Sequence, residues 1–267
     1  MTFDPLPAQV LRSEPGIRPL STLEQKTELL AESGIDAMIV CPTNRVFLAR
    51  TAEDFFAHVI RETLETQVIV EGSNFNFGHN RSGTPEKLKA WCRDAGMTFE
   101  AVETIAHHGE PVSSSRIRAL LGEGNIALAN ELLSRPYRLT GTVVAGEQRG
   151  RTLGFPTANL AEVETIVPKP GLYAATLRHN NNLRYAAAVH IGNNPTFGQT
   201  PFKIEVFLLD FEGDLYGQTL RVDFVRYLRN AVQFATVEEL VGQMHRDIAD
   251  IRTLTTGVTF RPVMESL

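Results

Sequence analysis

At Arg135-Pro136-Tyr137 the spacing of apolar residues changes, and that change limits the chain to two differently built domains. Upstream, from Ser21 to about Leu133, short apolar runs alternate with helical patterns. Ser21-Thr22-Leu23-Glu24 reads as a capping box opening a helix that Gly34 ends. Asp36–Cys41, Gln67–Val70 and Phe99–Val102 read as strands. Ala52–Leu64, Pro85–Ala95, Ser113–Leu121 and Asn125–Leu133 read as helices, the last two split by Gly124. Near-continuous apolar strands between helices argue for a parallel sheet covered on both faces. Downstream, Leu139–Ala145, Tyr173–Arg178, Arg184–Ile191, Lys203–Leu209 and Thr219–Val225 suit strands separated by short Gly, Pro, Asn and Asp clusters. That is the pattern of an antiparallel barrel or sandwich. A single helix closes this half: Thr236 and Glu239 form a capping box, and Val237, Leu240, Val241, Met244, Ile248 and Ile251 recur at helical spacing. Its apolar stripe should lie on the barrel. The expected organisation is a first domain over 1–133, a second over 134–254 and a patternless tail over 255–267.

Composition narrows the function classes. With 43% hydrophobic and 21% charged residues, the 267-residue chain can bury a core, which argues against disorder. Lys plus Arg number 26 against 31 Asp plus Glu, and a net charge of −5 argues against a protein that coats nucleic acid or anionic membrane. Local basic pockets for a phosphorylated ligand remain compatible with it. The two cysteines, Cys41 and Cys92, stand in neither a CxxC nor a Cys/His metal spacing, so a reducing cytoplasm is the expected location. No apolar run approaches the ~18–20 residues that span a bilayer. The opening MTFDPLPAQVLR lacks the layout of a signal peptide.

The stretch richest in chemistry is GEQRGRTLGFPTAN, Gly146–Asn159. Gly146, Gly150 and Gly154 let backbone amides approach a ligand, and Arg149 and Arg151 add positive charge, a combination suited to cradling phosphates. On its own, a surface turn explains such a loop equally well. Thr157 and Asn159, two apart on an extended segment, point to one side and offer hard oxygens suited to Mg²⁺ bridging nucleotide phosphates.

In this half the sequence resembles the riboflavin kinase domain of bacterial bifunctional riboflavin kinase/FAD synthetases. The segments that carry the resemblance are GRTLGFPTANL (150–160), PGLYAA (170–175), AAVHIGNNPTF (187–197), IEVFLLDFEGDLYG (204–217) and YLRNAVQF (227–234). The resemblance implies a six-stranded antiparallel barrel that moves the γ-phosphoryl group of ATP to the terminal ribityl hydroxyl of riboflavin, giving FMN. By motif position, Thr157 and Asn159 would bind Mg²⁺ with the phosphates. Glu205 would be the catalytic base, since a carboxylate in reach can take the proton of an alcohol too weakly acidic to attack unaided. Asn193 and Asn194 would shape the site. Arg229 would contact flavin or nucleotide, with a structural ion pair as the open alternative.

The first half resembles the nucleotidyltransferase domain of the same enzymes, an α/β fold that adenylylates FMN to FAD. Thr2-Phe3-Asp4-Pro5 is similar to its T-F-D-P segment, and Gly72–Gly78 (GSNFNFG), with Asn74 and Phe75, to its flavin-side loop. Ser113-Ser114-Ser115-Arg116-Ile117-Arg118 is similar to its S-S-[ST]-x-I-R motif. Serines and arginines at a helix start suit triphosphate binding. The chain departs from the pattern in two places: Leu6 stands where the family commonly has His, and no H-x-G-H occurs in the 267 residues. Those histidines stabilise charge on the transferring phosphate in the family. The strand and helix that accompany them in the family are missing with them, which should leave a sheet neighbour unpaired and a face uncovered. A late or truncated start and an adenylylation-incompetent remnant are both open, and FAD formation by this chain is not expected. The expectation is a riboflavin kinase using ATP, Mg²⁺ and riboflavin; a non-catalytic flavin-binding or regulatory protein is the rival from another class.

Overall fold

The computed structural model describes residues 1–11, 17–179, 183–193 and 202–257. They form two compact units: Met1–Ile17 with Lys26–Val112, and Arg18–Gln25 with Ser113–Leu267.

In the first unit, β1 (Thr2–Asp4) pairs in parallel with β2 (Val40–Pro42), and β3 (Val68–Gly72) with β4 (Thr98–Val102). A short antiparallel pair, β5 (Ala106–His107) and β6 (Glu110–Pro111), follows. The parallel pairing is as expected, whereas the cover on both faces is not: Val68, Val70 and Val102 are exposed. Among the described residues the four parallel strands form two separate two-stranded sheets. The β3–β4 crossover carries the helix Pro85–Asp94, capped by Thr84 Oγ1 accepting from Lys87 N at 3.4 Å, with proline tolerated in its first turn. Its Leu88 and Cys92 are buried against Ala52, Phe55, Phe56 and Phe77, which form the core of this unit. The helix expected over Ala52–Leu64 starts on the Thr51 cap but widens into a π-helix over Phe55–Thr63. Its last turn closes from Leu64 N to Val59 O, an i to i−5 bond of 3.0 Å.

The second unit is a closed six-stranded barrel. Its strands are β7 (Tyr137–Val144), β8 (Ala158–Ala161), β9 (Gly171–His179), β10 (Leu183–Gly192), β11 (Lys203–Leu208) and β12 (Thr219–Arg229). The order around the barrel is β10-β11-β8-β7-β12-β9, with all pairs antiparallel. Side chains alternate across each strand, so Leu139, Val189, Val206 and Val222 fill the interior completely shielded from solvent. The strand β8, inside the PTAN stretch, was not among those expected from the sequence.

Three attachments complete the barrel. Buried Asn130, on the helix Ile126–Leu133, donates to Phe224 O (2.8 Å) and accepts from Tyr137 N (2.7 Å), joining β12 and the start of β7. The segment Arg18–Gln25 lies along the same unit: Ile166 N donates to Pro19 O (3.0 Å), and Gln25 Nε2 to Thr140 Oγ1 (2.7 Å). Here the helix cap is displaced by one residue from the expected Ser21/Glu24 box. Thr22 Oγ1 accepts from Gln25 N, and Gln25 Oε1 accepts from Thr22 N, because Gln25 is the residue that turns inward and is buried. The C-terminal helix, Val237–Thr255, is capped by Thr236, while Glu239 reaches back to Ala235 N. Its Ile251 is fully buried against Ala174 and Leu209, so the expected stripe does lie on the barrel, with Val237 at its exposed end.

Candidate active site

The connection from β7 to β8 folds back so tightly that a side chain at either of two of its glycines would overlap a neighbour as placed. A Cβ on Gly146 would fall 2.1 Å from Asn159 Nδ2, and one on Gly150 would fall 2.3 Å from the Phe155 carbonyl oxygen and 3.6 Å from Thr157 Oγ1. At Gly150 the obstructing atom is itself backbone and cannot turn away, whereas at Gly146 it is the Asn159 side-chain amide, so a methyl there would have to displace that amide. Between them, Arg149–Thr152 make one helical turn, and Gly154 (φ +86°) reverses the chain after it. The side chain of Arg149 lies outside the described atoms.

Three contacts pin this loop. Lys203 Nζ, at the start of β11, donates to Glu147 Oε1 (2.9 Å), and Gln148 Nε2 donates to Tyr216 Oη (3.4 Å) in the Asp214–Gly217 turn. Phe155 is buried with its ring near those of Phe207 (5.6 Å) and His245 (5.3 Å). Between loop and turn opens a cavity of about 560 Å³, with Arg151 and Thr157 on its wall and Val143, Val206 and Leu208 among its apolar lining. A smaller recess of about 270 Å³ is lined by Gly146, Glu147, Asn159 and Lys203.

Strand register assembles the polar groups. On β8, Ala158 and Leu160 are buried and Asn159 turns to the other face; on β11, Ile204 and Val206 are buried and Glu205 turns to the other face. Asn159 stands opposite Glu205, and Glu205 stands opposite His190 of β10. Asn159, Glu205 and His190 therefore occupy one row across three strands, and Thr157 shares the parity of Asn159. His190 Nδ1 lies 3.5 Å from Glu205 Oε2, with both side chains roughly one-fifth exposed (21% and 23%). Sequence reasoning did not single out His190, because only the β10–β11 register reveals its neighbour. Asn193 is exposed at the end of β10; Asn194, Pro195, Thr196 and Phe197 lie outside the described residues.

Arg229 is placed apart from that row. Its Nη2 and Nε donate to Asp247 Oδ2 (2.7 Å) and Oδ1 (3.1 Å) on the C-terminal helix, and its guanidinium lies 5.9 Å from the Phe234 ring centre.

The residues similar to nucleotidyltransferase motifs fall in different units, each read by itself. In the first unit, Phe77 is core, Phe75 stacks on it at 5.4 Å and 13°, and Asn74 is exposed, its carbonyl accepting from Asn76 Nδ2 (2.9 Å). In the second unit, Ser113 Oγ caps the helix Ser114–Glu123 by accepting from Arg116 N (3.2 Å), and Ser114 and Ser115 are exposed in its first turn. Arg118 Nε donates to Arg18 O (3.1 Å), and burial holds its guanidinium below the usual arginine value.

Comparison with known proteins assigns a family to each half of the chain, although the match over the first half includes Arg18–Gln25 and Ser113–Arg116, which belong to the second compact unit. A riboflavin kinase family model matches residues 133–255, and an FAD synthetase family model matches residues 1–116. The chain is 32% identical over 247 residues to the bifunctional riboflavin kinase/FMN adenylyltransferase of Escherichia coli K12, covering 92% of this chain and 79% of that protein. It is 34% identical over 256 residues to the protein of the same name from Bacillus subtilis, covering 92% and 79%. Among solved structures, a protein from Streptococcus pneumoniae described as a macrolide-efflux protein superposes with a TM-score of 0.83 at 29% identity, covering 94% of this chain and 81% of that one. Among the described residues no helix is long and apolar enough to cross a membrane.

Proposed function

The chain belongs to the bifunctional riboflavin kinase/FMN adenylyltransferase family, and from that premise we propose how its barrel performs the kinase step of flavin cofactor synthesis. It is a riboflavin kinase with ATP as phosphoryl donor. The reaction needs a base for a weakly acidic alcohol, a cradle for the triphosphate and neutralisation of the charge between them.

Glu205 supplies the base. Its carboxylate takes the proton of the terminal ribityl hydroxyl as that oxygen attacks the γ-phosphorus; the bond to the bridging oxygen breaks, and ADP leaves. The Gly146–Gly154 loop carries the phosphates, with Arg151 on the cavity wall. Thr157 and Asn159 fit a divalent cation by donor chemistry, offering a hydroxyl and an amide oxygen. Mg²⁺ held there would offset phosphate charge. Arg229, fixed by Asp247, is the flavin-side cation in this reading. For FMN adenylylation, Asn74 and Phe75 would serve the flavin and Ser113–Arg118 the phosphates. With two unpaired cysteines, the cytoplasm is the compartment we assign.

The observation that carries this reading is the cross-strand pair Asn159↔Glu205, which sets a candidate metal ligand beside a candidate base. Purified protein with riboflavin, ATP and Mg²⁺ should form FMN, resolved from riboflavin by chromatography, and EDTA should stop it. Flavin binding without FMN under any divalent metal would instead favour a non-catalytic flavin-binding protein.

A further inference from the structure

The imidazole of His190, 21% exposed, lies in the same cross-strand row as Asn159 and Glu205. It faces away from the barrel interior, between buried Val189 and Ile191 in sequence, directly across from Glu205. Its Nδ1 is shielded from solvent and, among the described residues, makes no hydrogen bond. Shielding a ring nitrogen without a partner is unfavourable, and an apolar residue at this position would avoid it. Glu205 Oε2 lies 3.5 Å from Nδ1, just beyond a well-formed bond. In enzymes free of substrate, such contacts are often long and tighten only in the reactive complex.

A carboxylate base has two equivalent oxygens, and free rotation leaves neither aimed at the substrate. A donor on Oε2 removes that freedom and leaves Oε1 to receive the proton. We propose that His190 is a positioning residue for the kinase step: in the substrate complex its Nδ1–H donates to Glu205 Oε2 and so fixes Oε1 toward the ribityl hydroxyl. The inference rests on Glu205 being the base. His190 takes up no proton from the substrate in this scheme; that proton stays on Glu205.

Four variants of the full chain test it, each assayed for kcat and for KM toward riboflavin and ATP at saturating Mg²⁺. His190→Leu fills the space but removes the donor. It should lower kcat about 10-fold, a fraction of the roughly 10²–10⁴-fold a general base contributes, with both KM values little changed. His190→Asn places an amide nitrogen at the reach of Nδ1 and should recover kcat to within about 3-fold of the parent. Glu205→Gln should be nearly inactive, and adding His190→Leu to it should cost nothing further, since the histidine acts only through that carboxylate. A normal kcat in His190→Leu, no recovery in His190→Asn, or a multiplicative loss in the double variant each overturns the proposal. If Glu205→Gln keeps a normal kcat, the base lies elsewhere, and the reading on which the proposal rests fails first.

Discussion

Gly146→Ala is the smallest change that tests whether the β7–β8 loop is built around Asn159. Gly146 is not in the left-handed region, so alanine is conformationally acceptable there and the backbone by itself does not object. What objects is Asn159: the new methyl would lie 2.1 Å from Nδ2, 2.7 Å from Cγ and 3.0 Å from Oδ1. A side-chain amide can rotate away where a backbone atom cannot, so the strain is relieved by losing the position of one oxygen donor. Hydrogen bonds to charged groups contribute about 1.5–3 kcal/mol. At about 1.36 kcal/mol per decade, that is a fall of about 10- to 150-fold in kcat/KM for the ATP–Mg²⁺ complex. Folding stability should fall by no more than about 2.5 kcal/mol, since local overpacking costs about 1–3 kcal/mol and a stiffer unfolded chain offsets about 0.4–1 kcal/mol of it. The assay is steady-state FMN formation with ATP–Mg²⁺ varied, beside a thermal melt. Gly146→Ala combined with Asn159→Ala should be no worse than Asn159→Ala alone. Catalysis within about 2-fold of the parent in Gly146→Ala, or independent losses in the double variant, would refute a loop closed on Asn159.

Asn130→Ala should destabilise the barrel by about 2–4 kcal/mol, because it strips partners from the buried Tyr137 N–H and Phe224 C=O; urea unfolding of the full chain measures it. Burial raises the Tyr137 and Tyr173 hydroxyls above the ordinary tyrosine value of 10.0. A raised folded-state value gives stability that is complete below about pH 10 and lost as pH climbs further, so melting temperature should fall above that pH and fall less steeply in Tyr137→Phe. The 267-residue chain, which contains no H-x-G-H segment, should yield FMN but little FAD from riboflavin and ATP, and chromatography of the products distinguishes the two.

The barrel strands were legible because each is a short apolar run between turn residues, and the C-terminal helix because Ile248 and Ile251 recur at helical spacing. β8 escaped because its four residues belong to a stretch whose polar members drew attention to ligands, and because its pairing is brief: two residues with β11 and three with β7. The π-geometry of Phe55–Thr63 has no composition cue, since its pattern of buried Phe55 and Phe56 suits an α-helix equally. At the site, residue types betrayed Thr157, Asn159 and Glu205 as candidates, but their cross-strand neighbours depend on register, which a sequence of alternating residues does not reveal. His190 is the consequence: a lone histidine in an apolar strand signals nothing until β10 is laid against β11.

The segment Arg18–Gln25 has a consequence for the order in which the protein is made. It leaves the ribosome more than a hundred residues before Thr140 and Ile166, the partners of Gln25 and Pro19. The polypeptide joining them includes Lys26–Val112 of the first unit, so the two units alternate along the sequence rather than following one another. Synthesis from the N-terminus therefore cannot finish one unit and then begin the other. Gln25, buried in the finished protein, gains its partner Thr140 only once β7 has emerged. A pause in translation before β7 would leave that strip of chain without its hydrogen-bond partners.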